Sequence, residues 1–235
     1  MRIGITLKII ILVVSSVIIS SLAIVVAGRF AFETGFSKEY DDNIQAFQRV
    51  GADRLESLRN QFAHLARGQA VRPNVIGGVS NSDKALLARL GQDLVDVGQA
   101  GFVVFTDAAG TALAAAGEAA DAAAALKERL ADNAAGRETL GFTAVSGNRL
   151  PVIATAPVRK DGAVIGCVAV GADLAAKNAL VDSLKTMLGV EATLFSGPVR
   201  VSSTITNASG RVIGTSITDQ DVVSGVLGQG KVVIK

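Results

Sequence analysis

The chain has 235 residues, enough for one or two domains besides a membrane segment. Its formal net charge is +2, and setting aside Arg2 and Lys8, which precede the first apolar run, leaves 21 basic residues against 21 acidic ones. This balance argues against a nucleic-acid-binding surface, and the single cysteine, Cys167, excludes an intrachain disulfide.

The first element is a run of twenty uncharged, mostly aliphatic residues, Ile9–Gly28. At about 1.5 Å per residue, a helix of this length spans the roughly 30 Å hydrocarbon core of a bilayer. The alternative is a cleaved signal peptide, but the run exceeds the roughly 7–15 apolar residues of such signals. We therefore predict one retained span in the inner membrane, with residues 1–8 in the cytoplasm and the remainder extracytoplasmic.

Residues 29–67 follow with apolar side chains at steps of three or four, from Phe32 to Leu65, and charged residues between them. This spacing predicts an amphipathic stalk helix of roughly 50 Å that continues from the membrane span. The chain's one histidine, His64, cannot by itself make a metal site and is expected on the solvated face of this helix.

Residues 68–177 alternate between helical and extended patterns. Gly68–Ser82 interrupts the helical pattern, and Asn81 or Ser82 is suited to cap a helix over Asp83–Val97. The later elements are two strands, a helix ended by Gly136, and three more strands: Gly101–Phe105, Thr111–Ala116, Glu118–Ala135, Glu138–Ser146, Leu150–Val158 and Ala163–Ala172. This order predicts an α+β module with an antiparallel sheet.

The hairpin Leu150–Leu174 is the centre of that sheet. Its second strand carries no charge and is apolar on both faces, which indicates a central strand that is covered on both sides. Lys160-Asp161-Gly162 is a turn signal, because glycine accepts the positive φ that tight hairpins require. Pro157 cannot donate a ladder hydrogen bond and predicts an interruption, a bulge or an edge.

This pattern resembles the PAS-like Cache sensor modules outside the membrane of bacterial receptors. The residues that carry the resemblance are Phe102–Gly110, Ala156–Val158 with Asp161-Gly162, and Val170–Leu174. A second block, in Gly189–Phe195, Arg200–Thr204 and Gly210–Thr215, resembles the second module of double Cache regions in methyl-accepting chemotaxis proteins. The resemblance implies a first, membrane-distal module over residues 68–177, then a linking helix and a partial second module over 178–235.

That second module offers strands at Ala192–Phe195, Val199–Thr206 and Val212–Ile217, a short helix around Asp221–Leu227 and a strand that begins at Val232. These are too few strands for a complete PAS-like sheet, so we expect the chain to be a truncated form or a fragment. The resemblance implies a chemoreceptor input region that binds a small molecule and passes a helix displacement across the membrane, as a homodimer through the stalk helix. The alternatives are the sensor region of a histidine kinase or nucleotide cyclase, or a passive membrane-anchored binding module.

Polar residues within apolar strands are the predicted ligand contacts, because a buried polar group requires a partner. They are Arg149, Thr155, Thr106 and Asp107. Arg149 suggests an organic acid or amino acid, since arginine holds a carboxylate through paired hydrogen bonds. For Asp107 and Asp173 a turn-forming or helix-capping role is the competing hypothesis. No catalytic set or metal-ligand cluster is apparent, so we expect neither an enzyme nor a cofactor.

Overall fold

The computed structural model describes residues 44–118, 126, 129–143 and 149–229. The predicted membrane span, the start of the stalk, much of the helix predicted over Glu118–Ala135 and the strand predicted from Val232 lie outside them. Within the described ranges, no helix is both long enough and apolar enough to cross a bilayer. The chain divides into two units, Met1–Asp53 and Arg54–Lys235, and the sheet and sites below all belong to the second.

Residues 44–70 are helical and are called α1, and residues 44–67 of this helix fall within the predicted stalk, whose role stays a prediction. Phe62, Ala66 and Ala70 are buried at every fourth position and therefore form one stripe. His64 is exposed, as predicted.

The helical pattern is interrupted within Gly68–Ser82 as predicted, at residues 71–72 and again from residue 81, but α2 occupies Pro73–Ser80 between these breaks and α3 follows at Lys84–Asp96. Pro73 is the first residue of α2, where its missing N–H costs nothing. Gly78 is needed for packing, since a Cβ there would lie 2.8 Å from Leu87 of α3. The cap of α3 is Asp83, whose side chain accepts from the backbone N–H of Leu86, and not Asn81 or Ser82.

The next described elements are β1 Phe102–Asp107, β2 Ala112–Gly117, the short helix α4 Leu130–Ala134, β3 Thr139–Phe142, β4 Pro151–Lys160 and β5 Ala163–Asp173. The five strands form one antiparallel sheet in the order β2-β1-β5-β4-β3. This confirms the predicted α+β class and the central position of β5. Gly136 has a φ of 75°, which fits the predicted end of the preceding helix.

The central hairpin turns through two residues, Asp161 and Gly162, with φ of 50° and 82°. Two positive φ values define the type I′ turn that matches strand twist. β3 pairs only with Val152–Thr155, so β4 has a single described strand neighbour at Pro157, and a bulge follows at Val158/Arg159. Both features satisfy the expectation from proline.

The sheet has two different faces. The helix face includes Val103, Phe105, Val168 and Val170 and shares a core with α1, α2 and α3. The pocket face carries a smaller apolar cluster of Phe102, Val104, Ile153, Ala169 and Leu126. Because side chains alternate along a strand, Thr106, Thr155 and Cys167 also belong to the pocket face.

Beyond Asp173 the chain forms a 3-10 turn, Ala176–Asn178, and α5, Ala179–Leu188, which confirms the predicted linking helix. Two small hairpins follow, and then a helical turn that continues as a π-helix: β6 Thr193–Ser196, β7 Val199–Ser203, β8 Thr206–Asn207, β9 Gly210–Arg211, α6 Gln220–Val222 and Val223–Gly228. The strand predicted over Val212–Ile217 is reduced to one bridge between Val199 and Ser216.

Candidate ligand-binding site

A pocket of about 230 Å³ opens on the pocket face, at the end of β1. Three segments line it: the end of β1 with its turn (Thr106–Gly110), the first half of β5 (Val164, Gly166 and Cys167), and α4 (Asn133 and Ala134). It thus lies between the sheet and α4.

Two residues that line this pocket each have a buried polar atom with no hydrogen-bond partner among the described residues. These atoms are Oγ1 of Thr106 and Oδ1 of Asn133, on side chains that are each 2% exposed. Nδ2 of Asn133 donates to the Arg129 carbonyl at 2.9 Å, which holds the amide with its oxygen on the free side. A buried polar atom without a partner costs roughly 1–3 kcal/mol, so a guest that reached either atom would recover part of that cost.

Asp107 lines the same pocket but also shapes the turn after β1. Its Oδ1 accepts from the Thr111 N–H at 2.8 Å, and its own N–H donates to the Thr111 carbonyl at 2.9 Å. One carboxylate oxygen of Asp107 thus has the turn-forming role that was the competing hypothesis. No lysine, arginine or histidine is among the described residues that line the pocket.

Cys167 lies opposite Thr106 on β5 and is 2% exposed. Burial raises the pKa of its thiol to about 12, and a backbone hydrogen bond with Ala156 opposes this only in part. The thiol is therefore neutral at physiological pH and is a poor nucleophile, so it contributes a weakly polar wall.

Thr155 is on the pocket face, but its hydroxyl already has partners. Its Oγ1 lies 2.6 Å from the Thr139 hydroxyl and accepts from the Thr139 N–H at 3.2 Å. These bonds join β3 to β4, and Thr155 is not among the residues that line the pocket.

Arg149 is far from the pocket, at the other end of β5. Its Nε donates to Asp173 Oδ2 at 3.1 Å, and its Nη2 donates to Glu118 Oε2 at 2.8 Å. Asp173 Oδ1 also accepts from the N–H groups of Leu150 and Ala175, both at 2.9 Å. The arginine thus joins the ends of β2 and β5 to the start of β4, and the ligand contact predicted for it stays a prediction.

A second cavity, of about 170 Å³, lies beside this ion pair and is lined by Arg54, Leu58, Asp173, Leu174, Ala176, Ala179 and Leu180. Its buried polar group, Asp173, is already satisfied by three donors. We therefore take the pocket at Thr106 as the candidate site.

Of the four predicted contacts, the structure brings Thr106 and Asp107 together at the pocket and places Thr155 and Arg149 outside its lining. The prediction from sequence missed Asn133. A single asparagine in an alanine-rich helical segment is the signal that could have indicated it. Within the described ranges, no three His, Cys, Asp or Glu side chains are grouped as metal ligands.

Residues 172–235 match the family model "Single cache domain 3". No curated protein matches the chain. Among solved structures, the periplasmic domain of LuxQ from Vibrio cholerae is 18% identical with a TM-score of 0.51, and the alignment covers 77% of this chain and 83% of that one.

Two further structures are more distant. The sensor domain of the histidine kinase DctB from Vibrio cholerae is 13% identical with a TM-score of 0.49, over 72% of this chain and 66% of that one. The ligand-binding domain of the Campylobacter jejuni chemoreceptor Tlp3 in complex with L-valine is 14% identical with a TM-score of 0.48, over 81% and 78%. The family match and the shared fold of LuxQ confirm the predicted resemblance of this chain to extracytoplasmic Cache sensor regions.

Proposed function

We propose that the chain is the extracytoplasmic input region of a transmembrane receptor and that it senses a small molecule in the pocket at Thr106. The observation that carries the proposal is that Thr106 and Asn133 line one pocket and each has a buried oxygen, Oγ1 and Oδ1, with no hydrogen-bond partner among the described residues. The Cache resemblance supports a sensing role rather than a catalytic one.

The sheet itself offers a route for the signal. The pocket lies on one face, and α1 packs on the other through Phe62, Ala66 and Ala70, in one core with Phe105 and Val168. A close-packed core transmits a shift of a strand to the helix that touches it. A bound molecule would thus displace α1, which we propose continues through the stalk to a membrane span at Ile9–Gly28 in the inner membrane.

We further propose the domain division predicted from the sequence, with a first module over residues 68–177 and a partial second one over 178–235. The family match at 172–235, which begins close to this boundary, supports it. Dimerisation through the stalk helix is part of the same proposal.

A chemoreceptor is the preferred whole protein, and a histidine kinase or nucleotide cyclase is the alternative output. A glutamate- and glutamine-rich heptad coiled coil encoded downstream would indicate a chemoreceptor, whereas a kinase or cyclase domain would indicate the alternative. A passive binding module would bind the molecule without any displacement of α1.

The test is a thermal-shift screen of the full chain in mild detergent against a library of small metabolites, followed by calorimetric titration of each hit. Thr106→Val keeps the shape of the side chain but removes its hydroxyl, and we expect it to weaken binding at least tenfold. Thr155→Val removes a hydroxyl outside the pocket and should leave affinity unchanged. A hit that binds equally to wild type and Thr106→Val would contradict the pocket assignment.

A further inference from the structure

Resting on the proposed function, we infer that the pocket at Thr106 takes a small neutral or cationic molecule that donates hydrogen bonds, and that it rejects carboxylates. This class differs from the organic acid that Arg149 suggested in the sequence. It follows from which atoms the pocket presents, one group at a time.

Asn133 presents an acceptor. Because its Nδ2 donates to the Arg129 carbonyl, a flipped amide would place two oxygens against each other, and Oδ1 must therefore point to the free side. A carboxylate placed against this oxygen would meet like partial charge, whereas an ammonium, amide or hydroxyl group can donate to it.

Asp107 adds negative charge at the pocket wall. Only one of its oxygens, Oδ1, is used by the turn, through the Thr111 N–H. A cationic guest is attracted to this carboxylate and an anionic guest is repelled. The Thr106 hydroxyl can donate or accept, so it binds either class and decides nothing by itself.

Two arginines near α4 donate to acceptors outside the pocket lining. Arg129 donates to the Ile153 carbonyl and to the Thr143 hydroxyl, at 3.3 and 3.0 Å. Arg159 donates to the carbonyls of Gly136 and Gly162. Neither residue is among those that line the pocket, so the described wall offers a guest acceptors and negative charge.

The volume limits the size of the guest. The pocket holds about 230 Å³. This lies below the roughly 300–1,000 Å³ of sites for drug-sized ligands and therefore favours a smaller guest.

The test uses the full chain in mild detergent and four probes, each with a chain of four carbon atoms. Two donate hydrogen bonds, 4-aminobutan-1-ol and butane-1,4-diol, and two carry carboxylates, 4-hydroxybutyrate and succinate. The melting temperature is measured against concentration up to tens of millimolar, since a ligand that binds only the folded state raises it by mass action.

We expect both donor probes to raise the midpoint, the amine more than the diol, and the carboxylates to leave it unchanged. Thr106→Val should reduce the apparent affinity of both donor probes at least tenfold, and Thr155→Val should not change it. Asn133→Leu, which removes the acceptor oxygen, should reduce binding of the same probes.

If the carboxylates bind instead, and Thr106→Val abolishes their binding, the ligand class is wrong while the proposed pocket stands. If the donor probes fail to bind while a hit from the metabolite library depends on Thr106, the class is again wrong and the sensing role survives. If neither series nor any library compound depends on Thr106, both the class and the pocket are overturned.

Discussion

The two faces of the five-stranded sheet are built from different residues. The helix face presents Val103, Phe105, Val168 and Val170 to three helices, and all four side chains are completely buried. The pocket face places Thr106, Thr155 and Cys167 among a smaller apolar cluster. The strands β1 and β5 contribute to both faces, because successive residues of a strand point to opposite sides of the sheet.

This difference separates stability from binding. Aliphatic side chains on the helix face lose nothing by complete burial, and each adds to the free energy of unfolding. At the pocket a hydroxyl and an amide oxygen have no partner among the described residues, at a cost that packing elsewhere must offset. Substitutions on the helix face should therefore change mainly stability, and those at the pocket should change mainly affinity.

The largest effect is expected from Phe105→Ala on the helix face. Phe105 is completely buried among α3, β1 and β5, so its removal leaves a cavity and should cost about 3–5 kcal/mol. Urea denaturation of the full chain measures this loss. Phe142→Ala is the control, because that ring is 39% exposed and should cost far less. Similar losses for the two variants would mean that the helix face is not the main core.

The ion pair at the far end of the sheet gives the next effect. Asp173→Ala removes the side-chain acceptor of two backbone N–H groups and one of the acceptors of Arg149, and should lower stability by about 2–3 kcal/mol. Arg149→Ala should cost about 1 kcal/mol, because its side chain is 32% exposed and water can replace it.

Binding measurements on Arg149→Ala decide between two hypotheses. The sequence-based hypothesis, in which Arg149 contacts the ligand, expects affinity to fall more than tenfold. The hypothesis that the ligand binds in the pocket at Thr106 predicts no change in affinity, because Arg149 lies at the other end of β5. A tenfold loss without unfolding would return Arg149 to the site and contradict the separation of the two regions.

The strands and the α+β class could be predicted from the sequence because they depend on local patterns. The uncharged run of β5 and the Asp161-Gly162 turn indicate a central hairpin without any knowledge of its neighbours. The helix α2 was missed because Gly77 and Gly78 disfavour helices locally, whereas contact with Leu87 rewards a glycine there. That reward depends on α3, which no local pattern reports.

The site was predicted only in part for a similar reason. Thr106 is polar within an apolar strand, and that signal is visible in the sequence. Whether a polar residue has a partner is not visible: Thr155 has Thr139, and Arg149 has Asp173, from other strands. Asn133 became a candidate only because its Nδ2 is used within its own segment and its Oδ1 is not.

Cys167 predicts a pH dependence that belongs to the pocket face. Because burial raises its pKa from 9.0 to about 12, the folded state holds the proton more tightly than the unfolded state. Its contribution is therefore complete below pH 9 and is lost as the pH rises toward 12, by roughly 1.4 kcal/mol per unit. Unfolding at pH 8 and pH 10 should differ by about 1.5 kcal/mol more in wild type than in Cys167→Ala. Equal pH dependence in the two proteins would argue that the thiol is accessible to water.

The smallest expected effect is an increase in the free energy of unfolding, whereas the earlier substitutions lower it. It distinguishes Thr106 from Thr155, the two threonines of the pocket face. Thr106 and Thr155 are each 2% exposed, but only the Thr155 hydroxyl has hydrogen-bond partners among the described residues. Thr106→Val removes an unpartnered hydroxyl and should raise the free energy of unfolding by about 1 kcal/mol in the absence of ligand.

Thr155→Val makes the same chemical change, and it should lower the free energy of unfolding by about 1 kcal/mol because Thr139 loses its partner. Valine favours strands at both positions, so the difference between the variants removes that contribution. Urea denaturation of the ligand-free full chain measures both. The two values should lie on opposite sides of wild type, and a destabilised Thr106→Val would mean that its hydroxyl already has a partner and that the pocket face is as fully satisfied as the helix face.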